Sequence, residues 1–179
     1  QPPDDIPFLP FQVRANQSVP DFLPIGANVP VRQTSSTHGP DGYITTDQIQ
    51  ISQMLKRLRA KLESAIAEFS FHELLPAEKS KTLLISYGVT ARAAKAVFKE
   101  LKNSVHPVSL LILKTLWPVP AEVIRRAAKD FKRIVVVEMN LGQYVEEIKR
   151  ILADKHVEFY GQMDGRLISP SKIKETIFD

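Results

Sequence analysis

An unbroken run of β-branched residues, Ile134-Val135-Val136-Val137, stops at Glu138-Met139-Asn140-Leu141-Gly142-Gln143 and is followed at once by an amphipathic segment. No other stretch constrains the fold as strongly. A strand that is apolar on both faces needs cover on both faces, the situation of a parallel strand between two layers of helices. The stretch therefore reads as a central strand feeding a helix with Tyr144, Val145, Ile148, Ile151 and Leu152 inward. Its turn offers one glycine, Gly142, where a dinucleotide site uses G-x-G-x-x-G to bring a pyrophosphate against the backbone. A fold is specified here before a reaction is.

The other apolar runs fall into place around that strand. Thr82–Tyr87 reads as a first buried strand, Gly88 as its turn, and Thr90 as the N-cap of a helix that turns Ala93, Ala94, Val97, Phe98 and Leu101 inward. Val108–Leu113 is a second strand. Lys114-Thr115-Leu116-Trp117-Pro118-Val119-Pro120 then makes a stiff connection, with Pro120 at a first helical position before Val123, Ile124, Ala127 and Phe131. Val157–Tyr160 has the character of an edge strand. Asp164-Gly165 turns the chain, and Ser169-Pro170 opens a last helix with Ile173, Ile177 and Phe178 inward. Strand and helix alternating in this way predict an α/β fold of three layers, a largely parallel sheet with helices on both faces.

The first part of the chain is of another kind. Eight of the 13 prolines lie in the first forty residues, with no helical or alternating period, so residues 1–46 read as an extended Pro-rich arm and a polar loop. The arm's Ile6, Phe8, Leu9, Phe11, Val13, Phe22, Leu23 and Ile25 are too many for a solvated linker and are expected to lie across a surface. In the loop, His38 has no neighbour at the spacing of a base, acid or metal ligand, and reads as solvated or capping. Thr45 and Gln48 have the spacing of a capping box. A helix is predicted over 47–75, led by Ile51, Met54, Leu55, Leu58, Leu62, Ile66 and Phe69 and ended by Pro76, and it opens an α/β domain that runs from 47 to 179. Its Lys56, Arg57, Arg59 and Lys61 read as a solvated face.

Composition excludes more than it assigns. The formal net charge is +4, but 24 Lys and Arg are interspersed with 20 Asp and Glu, which gives no electrostatic footprint for nucleic acid. With no cysteine, the chain can hold neither a thiolate zinc site nor an iron–sulfur cluster. No apolar run reaches the ~20 residues that span a bilayer, and Gln1-Pro2-Pro3-Asp4-Asp5 is not expected to be a signal peptide. A cytoplasmic protein, without a membrane partner, is the expectation. A start at Gln1 suggests a piece of a longer chain.

In a parallel sheet the loops that follow the strands gather at one end, where ligands bind. Here they bring Ser86, Tyr87, Gly88 and Thr90, then Lys114, Thr115 and Trp117, then Glu138, Asn140 and Gln143. No G-x-S-x-G, Walker loop or H-E-x-x-H is present, and no catalytic, cofactor-binding or metal-binding residue is assigned. Glu138 is the best single acid or base, or else the cap of the next helix; Trp117 is core or an interface anchor. Tyr87, Trp117, Glu138, Asn140 and Gln143 are the candidate interface residues.

Taken together, Leu84-Ile85-Ser86-Tyr87-Gly88-Val89-Thr90, Leu116-Trp117-Pro118-Val119-Pro120 and Ile134-Val135-Val136-Val137-Glu138-Met139-Asn140-Leu141-Gly142-Gln143 resemble the C-terminal region of the α subunit of 2-oxoacid:ferredoxin oxidoreductases. The resemblance runs from about Thr34 to the end; the loop Thr37-His38-Gly39-Pro40-Asp41-Gly42 departs from the family's His-Asp-Glu pattern and names no substrate. It implies a domain similar to the C-terminal domain of transketolases. The parent enzyme it implies decarboxylates a 2-oxoacid such as 2-oxoglutarate or pyruvate on thiamine diphosphate and magnesium, passes electrons through iron–sulfur clusters to ferredoxin and forms acyl-CoA, or runs in reverse. The partners implied are the rest of the α subunit, a β subunit and ferredoxin-like subunits, with no cofactor held by this chain. A non-catalytic assembly domain of such an enzyme is one reading. The other is a free-standing flavodoxin-like domain that binds a small molecule or nucleotide.

Overall fold

A computed structural model describes residues 8–32 and 34–178. The expectations for Gln1–Pro7, including Ile6 of the arm, lie outside the described residues. The elements follow in the order α1 (Gln48–Phe69), β1 (His72–Leu75), β2 (Thr82–Tyr87), α2 (Thr90–Leu101), β3 (Val108–Leu113), α3 (Ala121–Ala128), β4 (Arg133–Glu138), α4 (Gln143–Ile151), β5 (His156–Gly161) and α5 (Pro170–Phe178). The chain divides into two compact units, one reaching to Ala65 and one beginning at Ile66.

The second unit is the expected three-layer α/β fold. Its five strands lie in the order β1-β3-β2-β4-β5, with β1 antiparallel to β3 and the other pairs parallel. Alternation along the strands splits the core in two. Leu83, Ile85, Leu111, Leu113, Ile134 and Val136 pack against α3 and α4. Leu84, Leu110, Ile112, Val135 and Val137 pack against α2 and α5. All four residues from Ile134 to Val137 are fully buried, which is what a run apolar on both faces requires.

Several local expectations change. The helix predicted over 47–75 ends at Phe69, and its last residues become strand β1. Ser70 caps the helix by donating its hydroxyl to the Ile66 carbonyl at 2.6 Å, and the Phe71 carbonyl accepts the amides of Lys114 and Thr115 at 2.9 and 3.1 Å. Pairing to β3 covers an otherwise open edge of the sheet, a gain that local helix propensity does not contain. Thr90 is not an N-cap: Val89 already has helical backbone angles, so Thr90 enters the first turn with its hydroxyl unused for capping. Pro120 stands just before α3, at the N-cap position. Phe178 is 53% exposed while Ile173 and Ile177 are buried, so α5 turns two of its three expected residues inward.

At the far end of the sheet Arg133 ties β4 to β5 and α5. Its guanidinium donates to both carboxylate oxygens of Glu158, at 2.7 and 2.6 Å, and to the carbonyls of Thr176 and Ile177. A planar fork of donors suits both a carboxylate and the unpaired carbonyls of a helix end.

The first unit holds an irregular segment and most of α1. Residues 8–47 contain no helix or strand among those described beyond an isolated bridge from His38 to Ile44. Gly42 makes that bridge possible, with φ +83 and a backbone so near the Arg32 carbonyl that a Cβ would sit 2.0 Å from its oxygen. The ring of His38 packs tilted against Phe11, 4.2 Å between centroids, and its Nδ1 lies 3.0 Å from the Gly39 carbonyl. The cap of α1 is Asp47, whose carboxylate accepts the Gln50 amide at 2.8 Å, while Thr45 accepts the Asp47 amide at 3.2 Å. Arg57 donates to the Ser18 carbonyl at 2.8 Å, the one member of the basic helix cluster whose hydrogen bond reaches back to the arm among the described residues. Phe22 and Ile25 of the arm are fully exposed, and α1 has no buried residue.

Candidate functional site

The strand order makes the carboxyl ends of β2 and β4 the point where the chain parts in two directions: β2 runs on through α2 to β3, while the neighbouring β4 runs on through α4 to β5. Such a switch point opens a crevice beyond the strand ends. Ser86 pairs with Val137 in register, so Tyr87 and Glu138 come next to each other, on the side covered by α3 and α4.

Glu138 is 1% exposed, and its carboxylate is fully engaged. Oε1 accepts the Val145 amide at 3.0 Å; Oε2 accepts the Tyr144 amide at 3.3 Å, the Tyr87 hydroxyl at 2.5 Å and the Asn140 side-chain amide at 3.0 Å. Asn140 continues the pattern. Its Oδ1 accepts the amides of Gly142 at 2.8 Å and Gln143 at 3.3 Å, and its Nδ2 donates to the Tyr87 hydroxyl at 2.8 Å. The four consecutive amides that open α4, which have no partner within the helix, are thus all met by two side chains of the preceding turn. Gly142 at φ +96 lets the chain make that turn. The positive end of the helix faces a buried carboxylate, which favours both.

Two tyrosines extend the network to the other loops. The rings of Tyr87 and Tyr144 meet edge to face at 5.4 Å, and the Tyr144 hydroxyl donates to the Leu116 carbonyl at 3.3 Å. Burial, and then the bond to Glu138, push the Tyr87 phenol well above its ordinary range; burial does the same for Tyr144, so both stay protonated donors. All three strand-end loops are therefore held through one buried hub. On its outside, Trp117 is 75% exposed and Leu141 78%. Gln143 is exposed, and its side-chain oxygen accepts the Leu141 amide at 3.0 Å.

Of the residues picked out from the sequence, Tyr87, Glu138 and Asn140 form one hydrogen-bonded cluster, Gln143 closes its rim, and Trp117 stands out on the neighbouring loop. The capping alternative for Glu138 is the one its geometry realises. Because it is buried, it acts on the surface only through Tyr87 and Asn140. Tyr144 reads from sequence as helix core, and only its hydroxyl's reach to Leu116 reveals the link. The signal that could have shown the cap was two acceptors, Glu138 and Asn140, set two apart just before a helix start. Strand β1 brings a second group to the strand ends that sequence reasoning misses: Glu73, with Lys95 at 2.9 Å and Lys114 at 3.8 Å. The hydrogen bond from Lys95 holds the Glu73 carboxyl below its ordinary range.

The family description that matches residues 80–173, more than half of the chain, is pyruvate:ferredoxin oxidoreductase core domain II. The chain belongs to this family. The expected resemblance to 2-oxoacid:ferredoxin oxidoreductases is thereby borne out. The 2-oxoglutarate synthase subunit KorA of Archaeoglobus fulgidus is 31% identical over 148 residues, covering 81% of this chain and 40% of its own length. The subunit KorA of Methanothermobacter thermautotrophicus is 29% identical over 178 residues, covering 98% of this chain and 46% of its own. This chain thus spans less than half the length of these curated relatives, each named as a subunit. The fold is also that of part of the 2-oxoglutarate:ferredoxin oxidoreductase from Magnetococcus marinus, at a TM-score of 0.71 and 19% identity over 89% of this chain and 28% of that one.

The cofactors of the resemblance find no ligands at the strand-end hub. Thiolate ligands for an iron–sulfur cluster are missing from a sequence without cysteine. Magnesium needs oxygen ligands directed into an open site and a diphosphate needs free amides or cations, whereas the oxygens of Glu138 and the Oδ1 of Asn140 are turned inward on the α4 amides and occupy them. Among the described residues no helix is long and apolar enough to cross a membrane.

Proposed function

We propose that the chain is a non-catalytic assembly domain of the α subunit of a thiamine-diphosphate-dependent 2-oxoacid:ferredoxin oxidoreductase, working in the cytoplasm. The parent enzyme joins a 2-oxoacid and CoA to give acyl-CoA, carbon dioxide and reduced ferredoxin, or runs that reaction in reverse. Thiamine diphosphate, magnesium and the iron–sulfur clusters belong to the rest of the α subunit, a β subunit and ferredoxin-like subunits. The observation that carries this reading is the use of Glu138: a strand-end carboxylate that in a catalytic site would face substrate is spent on holding a turn, and what stands outward there is Leu141 and Gln143 on that turn and Trp117 on the neighbouring loop. Large aromatic groups on rigid loops anchor protein interfaces. Membership of an oxidoreductase core-domain family favours this reading over a free-standing flavodoxin-like domain.

Two measurements test it. The chain should co-purify from its source cell with polypeptides that together show 2-oxoacid-dependent reduction of ferredoxin or a viologen; purification without such an activity would sink the reading. Calorimetry of the chain with thiamine diphosphate and magnesium should show no heat of binding, and micromolar affinity would contradict a non-catalytic role.

A further inference from the structure

Beside the tyrosine hub lies a groove of about 500 Å³ at the carboxyl ends of β2 and β3, walled by α2 and β1. Its floor is apolar, from Ala91, Ile112, Leu113 and Leu116, and its rim carries Arg92, Lys95 and Lys114 against a single carboxylate, Glu73. Glu73 sits 2.9 Å from Lys95 and at the longer distance of 3.8 Å from Lys114, so one negative charge serves two cations, and among the described residues Arg92 has no carboxylate within salt-bridge distance. Arg92 and Lys114 are exposed. A rim with two cations in excess over an apolar floor is complementary to an acidic segment with apolar side chains between its carboxylates. The groove also ends at Leu116, whose neighbour Trp117 is the most prominent exposed aromatic of the α/β unit.

We propose that this groove docks a carboxylate-bearing polypeptide segment from the remainder of the parent oxidoreductase, with Arg92 and Lys114 as its anchors. The inference rests on the assembly reading and gives the partner surface a chemistry: acidic residues opposite α2 and the end of β3, beside an apolar seat for Trp117. More than half of the length of the KorA relatives lies outside the part this chain spans, so such a segment has chain to come from.

The test titrates the 179-residue chain into the remaining polypeptides of the parent enzyme, produced without it, at about 50 and about 500 mM NaCl. The unmodified chain should bind more weakly at high salt. The paired reversal R92E/K114E should weaken binding at low salt by about tenfold or more and flatten the salt dependence, since rim charges act mainly through steering and salt-sensitive attraction. If the reversal lowers the melting midpoint of the chain, R92Q/K114Q carries the test, with about threefold to fivefold weakening expected. W117A should weaken binding at both salt concentrations. Equal affinity and equal salt dependence for the unmodified and charge-altered chains, with W117A impaired, would overturn the groove alone and leave the assembly reading standing. No binding by the unmodified chain would end both. Inorganic pyrophosphate bound by the chain and lost in R92Q/K114Q, with assembly unchanged, would reassign the groove to a small anion.

Discussion

The two units of the chain use apolar residues in opposite ways. From Ile66 on, the three central strands of the sheet bury their aliphatic residues, with Leu83, Leu84, Ile85, Leu110, Leu111 and Ile134 through Val137 at 0% exposure, while the edge strands leave Leu74 and Phe159 at 43% and 36%. In the unit that ends at Ala65, α1 carries Ile49, Leu55 and Leu62 at 69%, 53% and 37% exposure and buries nothing, while Phe22 and Ile25 stand open on the irregular segment. The same amino-acid types thus make a closed core in one place and stay half-buried or exposed along a helix in the other. Amphipathic periodicity says only that a helix has an apolar side; whether that side is covered depends on what else is present. Under the proposed assembly role, the second case is the informative one.

The contrast can be pressed by mutation, and the largest effect should come from the buried hub. Glu138→Ala removes the acceptor of two α4 amides, the Tyr87 hydroxyl and the Asn140 amide at once, inside a site 1% exposed. Urea unfolding should show a loss of about 3 kcal/mol, the scale of buried donors left without a partner. A loss under about 1 kcal/mol would mean that water reaches the α4 amides and the hub is not what organises the loops.

Next comes the sheet core. Val136→Ala should lower stability by roughly 1 to 3 kcal/mol, because the strand is closed on both faces and can collapse only in part around the missing methyls. Leu55→Ala, on the exposed stripe of α1, should change it by less than about 0.5 kcal/mol in the same experiment. If the two changes cost the same, α1 is covered in solution and the comparison fails.

The ion pair at the other end of the sheet gives a pH signature. Arg133, and with it the hydrogen bond it makes, holds the Glu158 carboxyl below its ordinary value of 4.5. A depressed folded-state value means that the stabilisation is present above the ordinary glutamate value and is lost as pH falls from there through the lower folded value. Melting midpoints of the unmodified chain and Arg133→Met, followed from pH 7 downward, should therefore converge below about pH 4.5. A difference that stays constant to lower pH would assign the contribution of Arg133 to its bonds with the Thr176 and Ile177 carbonyls instead.

The smallest expected effect on the chain alone is that of Trp117→Ala. At 75% exposure, its loss should shift stability by under about 0.5 kcal/mol. Assembly with the parent polypeptides should weaken by ~2 kcal/mol or more, as when a central aromatic anchor is truncated. An unfolded Trp117→Ala chain would return this residue to the core, and full assembly would remove it from the interface.

Much of this was settled by short-range pattern. The β-branched run at Ile134–Val137, apolar on both sides of a period of two, demanded two helical layers, and the alternation of strand and helix after Thr82 demanded a largely parallel sheet; both follow from side-chain direction along a strand, which is a local property. The choice of Tyr87, Trp117, Glu138, Asn140 and Gln143 as a group follows from strand ends gathering at one end of a parallel sheet. Three things were decided only by tertiary contact. His72–Leu75 has a composition that suits a helix, and it forms strand β1 because β3 offers an unpaired edge. Glu138 was an acid, a base or a cap until the amides of Tyr144 and Val145 were placed on its two oxygens. Lys95 and Lys114, nineteen positions apart in sequence, share Glu73 only because that strand carried the carboxylate to them. A sequence determines which faces must be covered, since that depends on periodicity; which groups meet across the fold depends on long-range pairing, which periodicity does not encode.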